Sequence, residues 1–291
     1  MEVKITNNDL YLTINSYGAE ITSLKDIHGR EYLWQGDTQY WKGRAPILFP
    51  IVGALRNNKA IIDGAEYSMP RHGIARINEF ALCSKQTDRA VFKFSANGKT
   101  RESFPFDFEL EVSYELIQNT LVAGFTVVNK DTRDMPFTIG YHPGFNIPIE
   151  ADEQLGDYYI KFPQKETCDS PLIDPETSLI DDKNRIKVLE NQDYLQLKPE
   201  LFYNDALILE TLKSRSLTVF SIVSGRGIKV DFDGFDYLGL WQPKNAPFLC
   251  IEPWTGTATL KSEGDILENK RGMRLLKSGQ SQEYIVKITI I

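Results

Sequence analysis

The chain has 291 residues, 42% of them hydrophobic and 25% charged, with a formal net charge of −7 and a pI near 5.2. This is the balance of a soluble globular protein, and an acidic chain without a Lys/Arg cluster excludes a nucleic-acid partner, which needs a basic face against phosphates. Met1-Glu2-Val3-Lys4-Ile5-Thr6 has no basic segment followed by an apolar core, and no apolar run is long enough to cross a bilayer, so no membrane partner is expected and the expected compartment is cytoplasmic.

The predicted elements are strands almost throughout. Leu10, Leu12 and Ile14 alternate with Tyr11 and Thr13, the period-two pattern of a half-buried strand. The same pattern places Leu110, Val112, Tyr114 and Leu116 on one face of a strand and Leu121, Ala123, Phe125 and Val127 on one face of the next. Ala151 to Pro199 is poorer in alternation and rich in Asp, Glu, Lys and Pro, so it reads as a long excursion of loops and short strands on a sheet edge. Leu217, Val219 and Ser221 resume the alternation, and Tyr284, Val286, Ile288 and Ile290 close the chain with it. His28-Gly29, Asp63-Gly64, Asn97-Gly98, Ser224-Gly225 and Asp233-Gly234 supply the turn chemistry of antiparallel hairpins. Many short strands joined by such turns predict an all-β fold, a sandwich or barrel, read as one unit over residues 1–291.

Cys83, Cys168 and Cys250 are widely spaced with no Cys-x-x-Cys pair, which supports neither a disulfide framework nor a zinc ribbon. No His-x-His or His-x-x-x-His spacing is present and no Gly-x-Ser-x-Gly elbow, so neither a metal site nor a serine hydrolase is expected, and no cofactor is called for. The run Phe248 to Ile251 predicts a buried strand that delivers Glu252 at its end, where Pro253 stops the pairing, beside the aromatic Trp254. Desolvation there raises a carboxyl from about 4.3 towards the range of a general base. His28 lies in the turn Asp26-Ile27-His28-Gly29-Arg30 and is expected to face solvent. His72 and His142 each sit beside glycine, and His142 precedes Pro143-Gly144, so both imidazoles are expected on sharp turns. One carboxylate and one imidazole at strand ends fit general acid-base chemistry.

Four segments, in order, resemble the aldose 1-epimerase (galactose mutarotase) family and its LacX-like branch. They are Pro46-Ile47-Leu48-Phe49-Pro50-Ile51-Val52-Gly53 with Leu55-Arg56-Asn57, then Arg71-His72-Gly73-Ile74-Ala75-Arg76, then Gly140-Tyr141-His142-Pro143-Gly144-Phe145, then the Glu252 segment. The resemblance implies a large antiparallel β-sandwich with a sugar in an open cleft across one sheet. It implies Glu252 as general base and His142 as general acid, with His72, Arg56 and Asp205 contacting sugar hydroxyls. Arg76 joins them because arginine forks suit vicinal hydroxyls, and Trp254 because an aromatic face stacks on a pyranose. Similarity to hexose-6-phosphate mutarotases adds Arg44, Arg71 and Arg76 as a possible anion site.

The implied partner is a small-molecule sugar, a hexose or a hexose phosphate. The implied reaction opens the cyclic hemiacetal by taking the anomeric proton while protonating the ring oxygen. With ordinary values of about 4.3 and 6.5, this predicts a bell-shaped pH profile with Glu252 on the acid limb and His142 on the alkaline limb. The alternatives are a hexose-6-phosphate 1-epimerase and a noncatalytic carbohydrate-binding protein on the same sandwich.

Overall fold

The alternating runs form strands with one dry face in the computed structural model, which describes residues 1–291. In Phe108–Ile117 every second residue is buried, and Leu10–Asn15 and Ser281–Ile290 repeat that pattern. Nine antiparallel strands make the larger sheet, in the order Ile180–Gln196, Tyr158–Ile173, Ser216–Ser221, Gly227–Asp231, Ser281–Ile290, Thr120–Asn129, Phe108–Ile117, Arg89–Ser95 and Ala81–Lys85. The smaller sheet runs Leu207–Leu209, Tyr237–Trp241, Phe248–Trp254, Gly140–Tyr141, Ile47–Leu48, with Gly144–Asn146 also paired to Phe248–Trp254.

The two sheets stack through their apolar faces. Phe125 of the larger sheet packs on Tyr141 of the smaller with ring centroids 5.1 Å apart, and Phe49 packs on Phe108 at 5.1 Å. These rings belong to a continuous core of 69 buried residues that reaches from Val3 to Ile290. Burying one such side chain contributes about 1.5–3 kcal/mol, so the sandwich is held by its inner faces and leaves the outer face of the smaller sheet free for chemistry. The expected antiparallel β-sandwich is what forms.

Three local expectations differ. Ala151 to Pro199 lies at the sheet edge as expected, but it forms two long strands, Tyr158–Ile173 and Ile180–Gln196, rather than short ones. Their pairing shifts register four times between Lys161 and Leu172, and the buried positions of the first strand keep one parity up to Ser170 but carry Glu166, Cys168 and Ser170, so no apolar alternation shows in the sequence. Asn97-Gly98 is no hairpin: Asn97 caps a short helix, Gly98–Arg101, by accepting from the amides of Lys99 and Thr100. Pro253 does not end its strand, for reasons that belong to the site.

Candidate active site

Phe248–Trp254 is buried along its whole length because both of its faces are covered. Leu249 and Ile251 point into the sandwich core, so strand parity sends Cys250, Glu252 and Trp254 to the outer face of the smaller sheet. On one side the strand pairs continuously with Tyr237–Trp241, and Pro253 stands opposite Leu238 within that ladder. On the other side the Ile251 amide donates to the Pro143 carbonyl and the Thr255 amide to the Ile139 carbonyl. Pro253 falls between these two, where its missing N–H faces the break between Gly140–Tyr141 and Gly144–Asn146. Glu252 is therefore held inside a strand, next to a gap in the neighbouring one, and not at a strand end.

That gap is filled by His142 and Pro143. His142 Nε2 stands 3.1 Å from Glu252 Oε2, with both side chains nearly dry, 10% and 2% exposed. The imidazole is fixed by aromatic neighbours: Trp41 stacks on it at 4.9 Å between centroids, and Trp241 and His72 meet it edge-on at 5.8 and 5.7 Å. Trp254 lies across the same sheet face, where any side chain at Gly140 or Gly239 on the flanking strands would collide with its indole.

His72 is placed by a tight turn. His72 and Gly73 both adopt positive φ, 67° and 72°, and a Cβ at Gly73 would stand 2.3 Å from the Phe49 carbonyl oxygen, so only glycine fits there. The His72 amide donates to the Gly53 carbonyl and the Gly53 amide donates back to His72 Nδ1 at 3.1 Å. Arg71 Nε donates to His72 Nε2 at 3.2 Å, so both ring nitrogens face N–H donors and a neutral ring can accept from only one of them. Arg76 reaches the same region and donates to the Arg71 carbonyl at 3.2 Å.

These side chains line a cavity of about 270 Å³, with Trp41, His72, His142, Glu252 and Trp254 among its walls and Arg71, Arg76 and Asp205 around them. Arg76 Nε, His142 Nδ1, Glu252 Oε2 and Trp254 Nε1 are buried polar atoms without a hydrogen-bond partner in the protein. A fold normally satisfies such groups, so four of them around one cavity mark a place shaped for a polar ligand. A second cavity of about 540 Å³ adjoins it, sharing Arg71, Ile173, Asp205 and Trp241 and adding Tyr203, Gln242 and Lys244.

Burial sets the protonation of the pair. It pushes the Glu252 carboxyl well above the usual range, a shift that Arg71 opposes and Asp205 reinforces. It pushes the His142 imidazole down to about 3, with Arg71 and Arg76 acting in the same direction. His72 is likewise held well below its ordinary value by burial and then by His142, Arg71 and Arg76. Burial thus works against the charged form of each group, raising the carboxyl and lowering the imidazole, the reverse of the order that ordinary values suggest.

Of the residues singled out in the sequence, Glu252, His142, His72, Arg76, Asp205 and Trp254 meet at this cavity. Asp205 sits at positive φ, 77°, and its Oδ1 accepts from the adjacent Ala206 amide. Arg56 does not join them. Its Nε donates to Asp265 and its Nη2 to the carbonyls of Leu260, Lys261 and Glu263, which pins that loop. Arg44 also lies elsewhere: it donates to the Gln35 carbonyl and borders a different, open cavity, which separates it from Arg71 and Arg76. His28 is exposed in its turn.

Sequence reading passed over Trp41, whose only local signal is the aromatic density of Trp34, Tyr40 and Trp41 in an otherwise polar loop. It also missed Ile173 and Ser178, which reach the cavity from the tip of the Tyr158–Gln196 hairpin. No helix is long and apolar enough to cross a membrane.

Comparison with known proteins bears on the family and the fold. The family model described as aldose 1-epimerase matches residues 1–267. The plasmid-encoded protein LacX of Lactococcus lactis subsp. lactis is 42% identical over 277 residues, covering 93% of each chain. Two solved structures superpose on the fold. A galactose mutarotase related enzyme from Lactobacillus acidophilus gives a TM-score of 0.93 at 32% identity, covering 100% of this chain and 97% of that one. A galactose mutarotase-like protein from Lactobacillus casei gives 0.92 at 28% identity, covering 100% of both. On a family match over most of its length and a relative this similar, the chain belongs to the aldose 1-epimerase family.

Proposed function

We propose that this protein is an aldose 1-epimerase that interconverts the α and β anomers of a hexose, with Glu252 as general base and His142 as general acid. The observation that carries the reading is the 3.1 Å contact between His142 Nε2 and Glu252 Oε2 at the wall of a ligand-sized cavity. Ionised Glu252 takes the proton of the anomeric hydroxyl while the imidazolium gives its proton to the ring oxygen. The bond between the anomeric carbon and that oxygen breaks, and rotation about the neighbouring carbon–carbon bond presents the other carbonyl face. Closure returns both protons. One proton shared by the pair is all the reaction needs, so neither net charge nor a cofactor is consumed. The active arrangement is the tautomer that carries that proton on the imidazole.

His72, Arg76 and Asp205 supply the polar groups that hold hydroxyls, and Trp254 supplies an apolar surface for the C–H face of the ring. The reading is tested by NMR on freshly dissolved α-anomers of glucose and galactose. The parent protein is expected to accelerate exchange for at least one sugar, and Glu252→Gln and His142→Asn are expected to abolish the acceleration. Line broadening without exchange in the parent would favour a carbohydrate-binding protein instead.

A second reading, a hexose 6-phosphate as substrate, is favoured by Arg71 standing between the two cavities and Lys244 lining the outer one. The same NMR series run with the 6-phosphates decides it: under this reading Lys244→Ala slows only the phosphorylated sugar.

A further inference from the structure

The mechanism leaves one buried nucleophile beside the pair unused. Cys250 is two residues before Glu252 on the same strand, so its thiol emerges on the same face. It is fully buried and in no disulfide, with its sulfur lying over Gly144 next to the break that holds His142. One nitrogen of His142, the sulfur of Cys250 and one carboxylate oxygen of Glu252 all lie within 4.8 Å of one another.

We propose that His142, Cys250 and Glu252 form a three-ligand site for a soft divalent cation of the zinc class, and that its occupation silences the acid-base pair. With bonds of about 2.0–2.3 Å, tetrahedral zinc spaces its ligand atoms roughly 3.3–3.7 Å apart, so the sulfur has about 1 Å to travel and the His142–Glu252 spacing hardly changes. Thiolate, imidazole and a single carboxylate select zinc or cobalt over magnesium or calcium, which want several oxygens.

Charge balance favours the same ions. The site binds the metal as thiolate and carboxylate, each giving up any proton it carries to solvent. The two anions and neutral imidazole then cancel the 2+ charge, as a dry site requires. His142 and Glu252 line the cavity, while Cys250 is fully buried. A bound cation holds both groups that must exchange protons with substrate, so it acts as an inhibitor. The inhibition rests on the epimerase reading, whereas the binding does not.

The experiment titrates the metal-free full-length chain with cobalt(II) in the absence of sugar. One equivalent is expected to produce a sulfur-to-cobalt charge-transfer band together with intense visible bands of tetrahedral cobalt, both removed by zinc(II). Cys250→Ser is expected to lose the charge-transfer band and to bind zinc at least tenfold more weakly. Its metal-free anomer exchange is unchanged, and Cys83→Ser behaves as the parent. His142→Asn must also weaken zinc binding, which keeps the test decisive if Cys250→Ser folds poorly. No band, or a band that survives Cys250→Ser, overturns the site. Zinc binding at Cys250 in a parent that moves no anomers leaves the site standing and rejects the epimerase reading.

Discussion

His142 Nε2 faces Glu252 Oε2 across 3.1 Å because two strands of one sheet are arranged around a gap: Phe248–Trp254 runs through, and its neighbour is interrupted at His142-Pro143. The gap leaves the imidazole free to enter the plane of the sheet, and the covered outer face keeps both groups dry. Most of the behaviour expected of the protein follows from that dryness.

The pH profile of kcat/KM is expected to be bell-shaped with its limbs exchanged between the two residues. Burial places the Glu252 carboxyl above the His142 imidazole, so at low pH activity is lost when His142 takes up a second proton on the pair, at about 3. At high pH activity is lost when the shared proton leaves, and that limb reports the raised carboxyl. An acid limb at the ordinary carboxylate value of about 4.3 would overturn the reversed order.

Glu252→Gln is expected to be inactive yet more stable. The native state keeps Glu252 protonated above the pH at which the unfolded chain ionises it, so the native state binds more protons and stability falls as pH rises through that window. The glutamine has no proton to hold. Thermal melts should show a gain of about 1 kcal/mol or more at pH 7 that vanishes below about pH 4, where both states are protonated. An equal gain at both pH values would point to packing instead.

Arg56→Ala and Arg76→Ala should separate stability from binding. Arg56 holds the Leu260–Asp265 segment and stands apart from the cavity, so its loss is expected to lower stability by about 1–3 kcal/mol and leave KM near the parent value. Arg76 borders the cavity, and its loss is expected to raise KM about tenfold or more with little change in melting temperature. The opposite pattern would restore Arg56 to the ligand.

Trp41→Ala removes the stacked cover of His142 and opens one wall of the cavity. With water admitted, the imidazole is expected to move back towards its ordinary value of about 6.5, and the acid limb of the rate profile should rise with it. A profile unchanged from the parent would show that Trp41 shields nothing that matters.

The sandwich was legible because its strands wear their faces in the sequence: Leu110 to Leu116 and Tyr284 to Ile290 alternate without interruption, and a period of two has one structural meaning. Glu252, His142 and His72 were legible because sharp turns and a buried run leave few other uses for such residues, and their motif order names a family. The Tyr158–Gln196 hairpin was not, since its buried face carries Glu166, Cys168 and Ser170 and its second strand buries few residues, and with it went the approach of Ile173 and Ser178 to the cavity. Arg56 stands in a family motif, but a guanidinium serves whichever oxygens the tertiary structure brings within reach, and here those are the carbonyls of a distant loop. The order of proton affinities was decided in the same way. Reference values belong to residues in water, and only the folded chain, by stacking Trp41 on His142 and burying Glu252 within its strand, determines how much water each one keeps.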